Sequence, residues 1–324
     1  MQSFLEKYYK DDEPVILACS AGPDSMYLLY KILQTTFKKN LVVCYFNHKT
    51  RSETDIEEKF LEDLGKKENF AVEVASCDFE KIKKLYPQKG FEELAREKRY
   101  QFFDAILNIY KSDKVILAHH LDDKIETFFF NLVRGSKLTG LINMTEKSAN
   151  ILRPLLKIEK TEILEFLDKN RLKYFIDSTN LDSKYSRNNL RNNIIPKFEE
   201  INSSYKKNIS NTIKYFEEVK AFLDLEVDKF LEEQGILIFN SAKYKIDTLK
   251  IYGYFYIEDF NKISSLLQKE IIRKAFYISN NKSTIGLSEG NIAEIIKFIN
   301  GKNNKTIKEI KNLKMRKENE IIIY

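Results

Sequence analysis

Six consecutive residues, Ser20-Ala21-Gly22-Pro23-Asp24-Ser25, carry the clearest chemical signal in the chain. All but Asp24 lack charge, and two bear hydroxyls. A short apolar run, Val15 to Cys19, precedes them, and Met26, Leu29 and Leu33 follow at helical spacing. The pattern predicts a turn from a buried strand into a helix. Backbone N–H groups in such a turn, backed by the positive end of the helix, form an anion site. Small side chains let a phosphate approach the main chain. Pro23 suits the first helical turn, where a missing N–H matters least. Asp24 belongs beside phosphate only with a cation between them, so the turn implies Mg²⁺ as well. Read alone, the turn is explained equally well by a plain strand–turn–helix corner.

A second cluster runs from His119 to Thr127 and holds Asp122, Asp123 and Glu126. Asp123 and Glu126 are three apart, so on a helix they share a face near its N-terminus. One carboxylate suits Mg²⁺ and the other a cationic substrate; capping plus a solvated acidic turn is the competing account. No H-E-x-x-H is present, which excludes a zincin site. Arg187 and Arg191 lie i, i+4 with Asn188 beside them, and their guanidinium forks could clamp phosphates. A surface ion-pair face is the commoner outcome of that spacing. The stretch from Asn131 to Met144 holds Arg134, Gly135 and Gly140 and reads as a mobile loop.

These groups need elements to carry them. Residues 1–13 read as a lead-in helix. Buried strands are expected at Val15–Cys19, Leu41–Phe46, Phe70–Cys77 and Val115–Ala118. Helices are expected at Ser25–Leu33, Glu53–Lys67, Phe91–Tyr110 and Leu121–Val133. Alternating strands and helices predict an α/β fold, a parallel Rossmann-like sheet wrapped on both faces. Ligands in such sheets bind at the carboxyl ends of strands. Three strand ends carry polar clusters: Ser20–Ser25, Asn47–Arg51 and His119–Glu126.

After Pro196 the alternation stops. A long helix is expected at Asn208–Glu233, strands at Ile236–Phe239 and Lys243–Ile257, and helices at Ile263–Ile278 and Asn291–Ile299. The tail from Gly301 to Tyr324 reads as a small hairpin. The expected division is residues 1–200 and a smaller, mostly helical α+β domain over 201–324. Of the chain's net charge of +6, this second part carries +5, from 21 Lys and Arg against 16 Asp and Glu. Such a balance suits a polyanionic partner or simple solubility. Cys19, Cys44 and Cys77 are odd in number and widely spaced, and read as reduced residues of a cytoplasmic protein. No apolar run is long enough to span a bilayer, and no signal-peptide core opens the chain.

In sequence order these clusters resemble the bacterial tRNA(Ile)-lysidine synthetases of the ATP-pyrophosphatase (PP-loop) superfamily. The likeness spans roughly residues 13–196. It rests on Ser20–Ser25, the His48/Arg51 strand end, Ala95–Tyr100, His119–Thr127, Arg134–Met144, Arg153-Pro154-Leu155 and Asp177–Pro196. The family's pattern differs at Ala21 (usually Gly), Asn47 (usually Asp), Lys124 (usually Gln) and Lys137 (commonly Gly). A methyl at position 21 is tolerable only if that residue avoids positive φ.

The resemblance implies a two-step reaction. ATP adenylates the carbon-2 oxygen of the wobble cytidine in the CAU anticodon of tRNA(Ile), and pyrophosphate leaves. The ε-amine of free L-lysine then expels AMP. It further implies that Ser20, Ala21, Gly22, Pro23, Asp24 and Ser25 bind ATP, and that Asp24 and Asp123 hold Mg²⁺. Asp24, Asp123 and Glu126 are the expected catalytic residues. Asp123, Glu126 and Arg99 would bind lysine, and His48, Arg51, Arg134, Arg187, Asn188 and Arg191 would bind tRNA. A homodimer is one option for the assembly. The alternatives are another PP-loop tRNA-modifying enzyme, such as a tRNA thiolase, and a non-catalytic tRNA-binding module.

Overall fold

A computed structural model describes residues 1–47, 49, 53–77, 79–142, 144–176, 186–234, 245–246, 249–250, 252–280, 282–284 and 286–324. His48, Arg51 and Asp177–Tyr185, together with the strand expected at Ile236–Phe239, lie outside the described residues. The chain divides into two compact units, Met1–Lys214 and Tyr215–Tyr324.

The first unit is built on a six-stranded sheet. Its strands are β1 (Val15–Ala18), β2 (Leu41–Asn47), β3 (Ala71–Ser76), β4 (Val115–Ile116), β5 (Lys147–Ser148) and β6 (Ile151–Leu152), in the order β3-β2-β1-β4-β6-β5. All neighbours are parallel except β5, which returns antiparallel along β6. The helices are α1 (Gln2–Tyr8), α2 (Pro23–Leu33), α3 (Glu53–Glu68), α4 (Phe79–Leu85), α5 (Phe91–Ile109), α6 (Leu121–Val133), α7 (Leu138–Leu141) and α8 (Lys160–Lys169). After them come α9 (Ser186–Asn189), a π turn at Leu190–Ile194, a 3-10 turn at Ile195–Lys197 and α10 (Phe198–Ile201). Helix α11 (Tyr205–Glu233) runs across the unit boundary.

Side chains alternate along β1 and bury on both sides of the sheet, as a strand covered by helices requires. Val15 and Leu17 pack with Leu29 of α2 and Ile163 of α8, whereas Ile16 packs with Phe103 and Leu107 of α5. Strand order reverses at β1, which has β2 on one side and β4 on the other. The carboxyl ends of β1 and β4 therefore flank a crevice of the kind that binds ligands in open α/β sheets.

Several expectations needed adjustment. The stretch read as a mobile loop contains α7. Strands β5 and β6 and helices α4 and α8 are not among the elements expected from the sequence; two-residue strands are too short to show a period. Ala21 has φ +58°, the region it was expected to avoid. Its carbonyl accepts the Phe175 N–H at 3.0 Å, and its methyl is fully buried in the core, so packing holds the strained backbone.

In the second unit, β7 (Lys245–Ile246) pairs with β8 (Leu249–Lys250). Strand β9 (Tyr254–Tyr256) joins β10 (Thr306–Ile310), β11 (Leu313–Glu318) and β12 (Ile321–Ile323) in an antiparallel sheet of order β10-β11-β12-β9. The tail is thus three strands of a four-stranded sheet rather than a hairpin. Ile322 and Phe255 are both fully buried, which explains why β9 is recruited. The described residues of the expected strand Lys243–Ile257 form β7, β8 and β9 instead, and Ile257 opens α12 (Ile257–Lys262), followed by α13 (Ser265–Ser279) and α14 (Glu289–Asn300). Phe230, Phe260, Ile271 and Phe276 fill the core of this unit. Lys317 is buried on β11, and its ammonium donates to the carbonyls of Ile299 and Gly301, the negative end of α14. No helix among the described residues is long and apolar enough to cross a membrane.

Candidate active site

Gly22 is the N-cap of α2, and Pro23 occupies its first turn. The corner is stitched by Ser25: its hydroxyl accepts the Ser20 N–H at 3.1 Å and donates to the Gly22 carbonyl at 3.0 Å. Asp24 projects from the first turn. Two protein groups face Asp24. Lys160, the first residue of α8, places its ammonium on Asp24 Oδ1, and His120 Nε2 lies 3.6 Å from the same oxygen.

His120 ends the segment leaving β4 and caps α6. Its backbone N–H donates to Asp123 Oδ2 at 3.1 Å. The ring is 5% exposed and sits among three carboxylates, with Nε2 3.4 Å from Asp123 Oδ2 and Nδ1 3.5 Å from Asp122 Oδ2. The latter is an ion-pair distance without hydrogen-bond geometry. Burial disfavours the imidazolium, but Asp122, Asp123 and Asp24 outweigh it and raise the pKa. Asp122 is desolvated too, yet the His120 ring, the Lys206 ammonium at 2.7 Å and the Lys160 backbone N–H at 2.8 Å hold it well below the usual carboxylate range.

Glu126 lies one turn further along α6 and is 6% exposed. Burial raises its pKa, against the pull of Arg191. Arg191, on the π turn, donates from Nε to Glu126 Oε2 at 2.7 Å and from Nη2 to Asp123 Oδ1 at 3.0 Å. Leu190 and Ile195 bury against Leu121 and Ile125, which fixes the π turn onto α6. π turns are rare and concentrate at functional sites.

A cleft of about 290 Å³ opens beside the corner. Ser20, Asp24, Ser25, Asp123, His119 and Arg99 are among the residues lining it. Its chemistry is bipolar, with carboxylates on the α2 and α6 side and Arg96 and Arg99 on α5. His119 Nδ1 accepts from Arg153 Nε at 3.1 Å, so a neutral ring carries its proton on Nε2. Burial, helped by Arg153, Arg99 and Arg96 and opposed by Asp123, lowers its pKa to about 4.

The structure therefore brings together Ser20–Ser25, Asp24, Asp123 and Arg99, with Glu126 adjoining through Arg191. Arg134 caps the C-terminus of α6, and Arg187 and Asn188 lie on α9. Sequence reasoning missed Lys160, Lys206 and the His119–Arg153 pair as parts of the site. Lys160 is 136 residues from Asp24, and no local pattern marks it. Asn47, the departure at the end of β2, is explained by its neighbours. Its amide donates to Asp55 at 3.1 Å and Glu58 at 2.7 Å, contacts that an aspartate could not make.

The family profile described as a PP-loop domain matches residues 1–198. The chain belongs to the PP-loop domain family. Among curated PP-loop relatives, the tRNA(Ile)-lysidine synthase of Thermosipho africanus is 30% identical over 287 residues, covering 86% of this chain and 66% of the relative. That of Borrelia garinii subsp. bavariensis is 32% identical over 293 residues, covering 87% and 64%. That of Staphylococcus aureus is 31% identical over 229 residues, covering 68% and 52%. The chain spans about half to two thirds of the length of these relatives. Among solved structures, the U34-tRNA thiolase of Methanococcus maripaludis aligns with a TM-score of 0.52 at 18% identity, covering 65% of this chain and 73% of that one. This likeness shows a shared PP-loop fold. ATP is the cosubstrate that membership of this family implies.

Proposed function

We propose that the chain is a tRNA(Ile)-lysidine synthase, an ATP-dependent ligase that joins the ε-amine of lysine to carbon 2 of the wobble cytidine in a CAU anticodon. One observation carries the reading: the Ser20–Ser25 corner and Asp123 of α6 line one cleft, and His120 lies between Asp24 and Asp123. The curated relatives supply the reaction class.

In the first step the cytidine oxygen bonds to the α-phosphorus of ATP and pyrophosphate leaves. The N–H groups of the Ser20–Ser25 corner and the Lys160 ammonium can take the charge that builds on the phosphates. Asp24 and Asp123 offer the hard oxygen donors that suit Mg²⁺, which binds through one or two carboxylates plus substrate phosphates. Bound Mg²⁺ would supply charge neutralisation at the phosphates.

In the second step the lysine amine attacks carbon 2 and AMP departs with its oxygen. Asp123 and Glu126 would hold the substrate's ammonium. Arg191 already rests its guanidinium on that pair, which supports assigning it to a cationic group. Arg99, half-buried in the cleft, suits the lysine carboxylate. Arg134, Arg187, Asn188 and Arg191 are assigned to the tRNA, as are His48 and Arg51 from sequence. A thiolase finds less support. Cys19 and Cys44 are buried, and desolvation raises both thiols, that of Cys44 to about 12, the opposite of an activated thiolate.

The test is incubation of the protein with ATP, Mg²⁺, radiolabelled lysine and a CAU-anticodon tRNA(Ile) transcript. Label entering the RNA, with AMP and pyrophosphate released in equal amount, is the expected result. ATP consumption with all label remaining free would overturn the reading.

A further inference from the structure

Phe130 lies one turn beyond Glu126 on α6 and is half-buried. Two guanidiniums from separate segments rest over its ring. The Cζ of Arg134 is 5.1 Å from the ring centroid, and the Cζ of Arg187 is 4.9 Å away. Both arginines are exposed, and neither makes an ion pair among the described residues. Next to them Arg191 is spent on Asp123 and Glu126. Positive charge is thus gathered at one end of α6 around one aromatic ring, with Arg187 also feeling the Glu126 carboxylate at longer range. Each contact lies within the range at which a ring quadrupole attracts a cation.

We propose that Phe130 is the centre of a two-arginine clamp for RNA backbone phosphates, and so a positioning residue for the tRNA. The ring interacts with guanidinium faces, while the N–H donors lie in the guanidinium plane. A ring-held arginine therefore keeps its hydrogen-bonding edge for an oxyanion. The ring also lowers the conformational freedom that each arginine would lose on binding. Glu126 and Phe130 are i, i+4 on one helical face, so a strand gripped here runs beside the carboxylates proposed for the lysine ammonium. The inference rests on the tRNA reading above and adds a residue that none of the motifs singled out.

The experiment compares full-length wild type, Phe130→Leu and Phe130→Tyr. It measures binding of the CAU-anticodon transcript from low to moderate KCl, together with lysine-incorporation kinetics. Phe130→Leu should weaken tRNA binding by about fivefold to thirtyfold, as expected when two arginine side chains must be ordered on binding instead of beforehand. The apparent KM for tRNA should rise by the same factor while kcat holds. The dependence of affinity on salt should become shallower as ordered phosphate contacts are lost. Phe130→Tyr, which keeps the ring, should match wild type, and Arg187→Ala should add little in the Phe130→Leu background. Equal weakening by Leu and Tyr would overturn the clamp, since packing rather than the ring would then matter. So would wild-type affinity and salt dependence in Phe130→Leu, and that outcome leaves the lysidine reading intact if lysine is incorporated. If wild type incorporates no lysine, the reaction reading falls on its own, and loss of RNA binding in Phe130→Leu alone would still uphold the clamp.

Discussion

Arg191 donates to Glu126 through a 2.7 Å hydrogen bond, so the buried acid of α6 carries its own cation. Arg191 is nearly half exposed and Glu126 is not, which makes the pair lopsided. Water screens the arginine, while the carboxylate bears most of the desolvation.

That asymmetry sets a prediction for Glu126→Gln. Burial raises the Glu126 pKa above its ordinary 4.5. A carboxyl shifted this way adds stability below that value and loses it as pH rises through the folded value. At neutral pH the ionised group is then a net cost, so the amide should melt within about 1 kcal/mol of wild type or above it. Lysine incorporation should nevertheless fall below detection. Arg191→Met, which strands the carboxylate, should cost about 1–3 kcal/mol. Adding Glu126→Gln should recover most of that loss. Thermal melts of the two single variants and the double variant check the three stability statements, and the labelled-lysine assay checks the fourth.

Asp122 behaves in the opposite sense. Its folded pKa is depressed, so its contribution is present above the ordinary 3.8 and disappears as pH falls below it. Asp122→Asn loses the Lys206 ion pair and should destabilise the first unit by about 1–2 kcal/mol at pH 7. Melting curves should show the gap to wild type closing only below about pH 4.

His119 provides a third test. Its pKa is lowered to about 4, so the neutral ring favours folding above the ordinary 6.5. Between those values the unfolded chain binds the extra proton, and wild type should lose stability as pH falls through that window. His119→Gln should flatten the curve there. Parallel curves for the two proteins would contradict the buried neutral assignment.

Ala21 sits in the left-handed region with a fully buried methyl. Ala21→Gly relieves about 1 kcal/mol of backbone strain and forfeits about 0.8 kcal/mol of methyl burial. The net change should be under about 0.5 kcal/mol. Ala21→Val adds a β-branch to the same backbone and should cost more than about 2 kcal/mol. Chemical denaturation of both variants measures the difference.

The sequence was most informative where chemistry and periodicity coincide. Helix α6 begins and ends where its apolar spacing and acidic first turn place it, and the corner at Ser20–Ser25 follows from small residues between a strand and a helix. The pairing of charges was not legible. Lys160 reaches Asp24, Lys206 reaches Asp122 and Arg191 reaches Glu126 across wide sequence separations, and a guanidinium at i, i+4 spacing does not announce its partner. The conformation of Ala21 was misjudged because core packing can hold a residue against its own preference.

The amide of Asn47 has a consequence for substitutions at this site. Its two donors sit between Asp55 and Glu58, so Asn47→Asp alone would crowd three negative charges at the end of β2. Restoring aspartate at position 47 would therefore be better tolerated together with a change at Asp55 or Glu58. The effects of substitutions at 47, 55 and 58 should therefore be non-additive, because the three side chains share one hydrogen-bonded cluster.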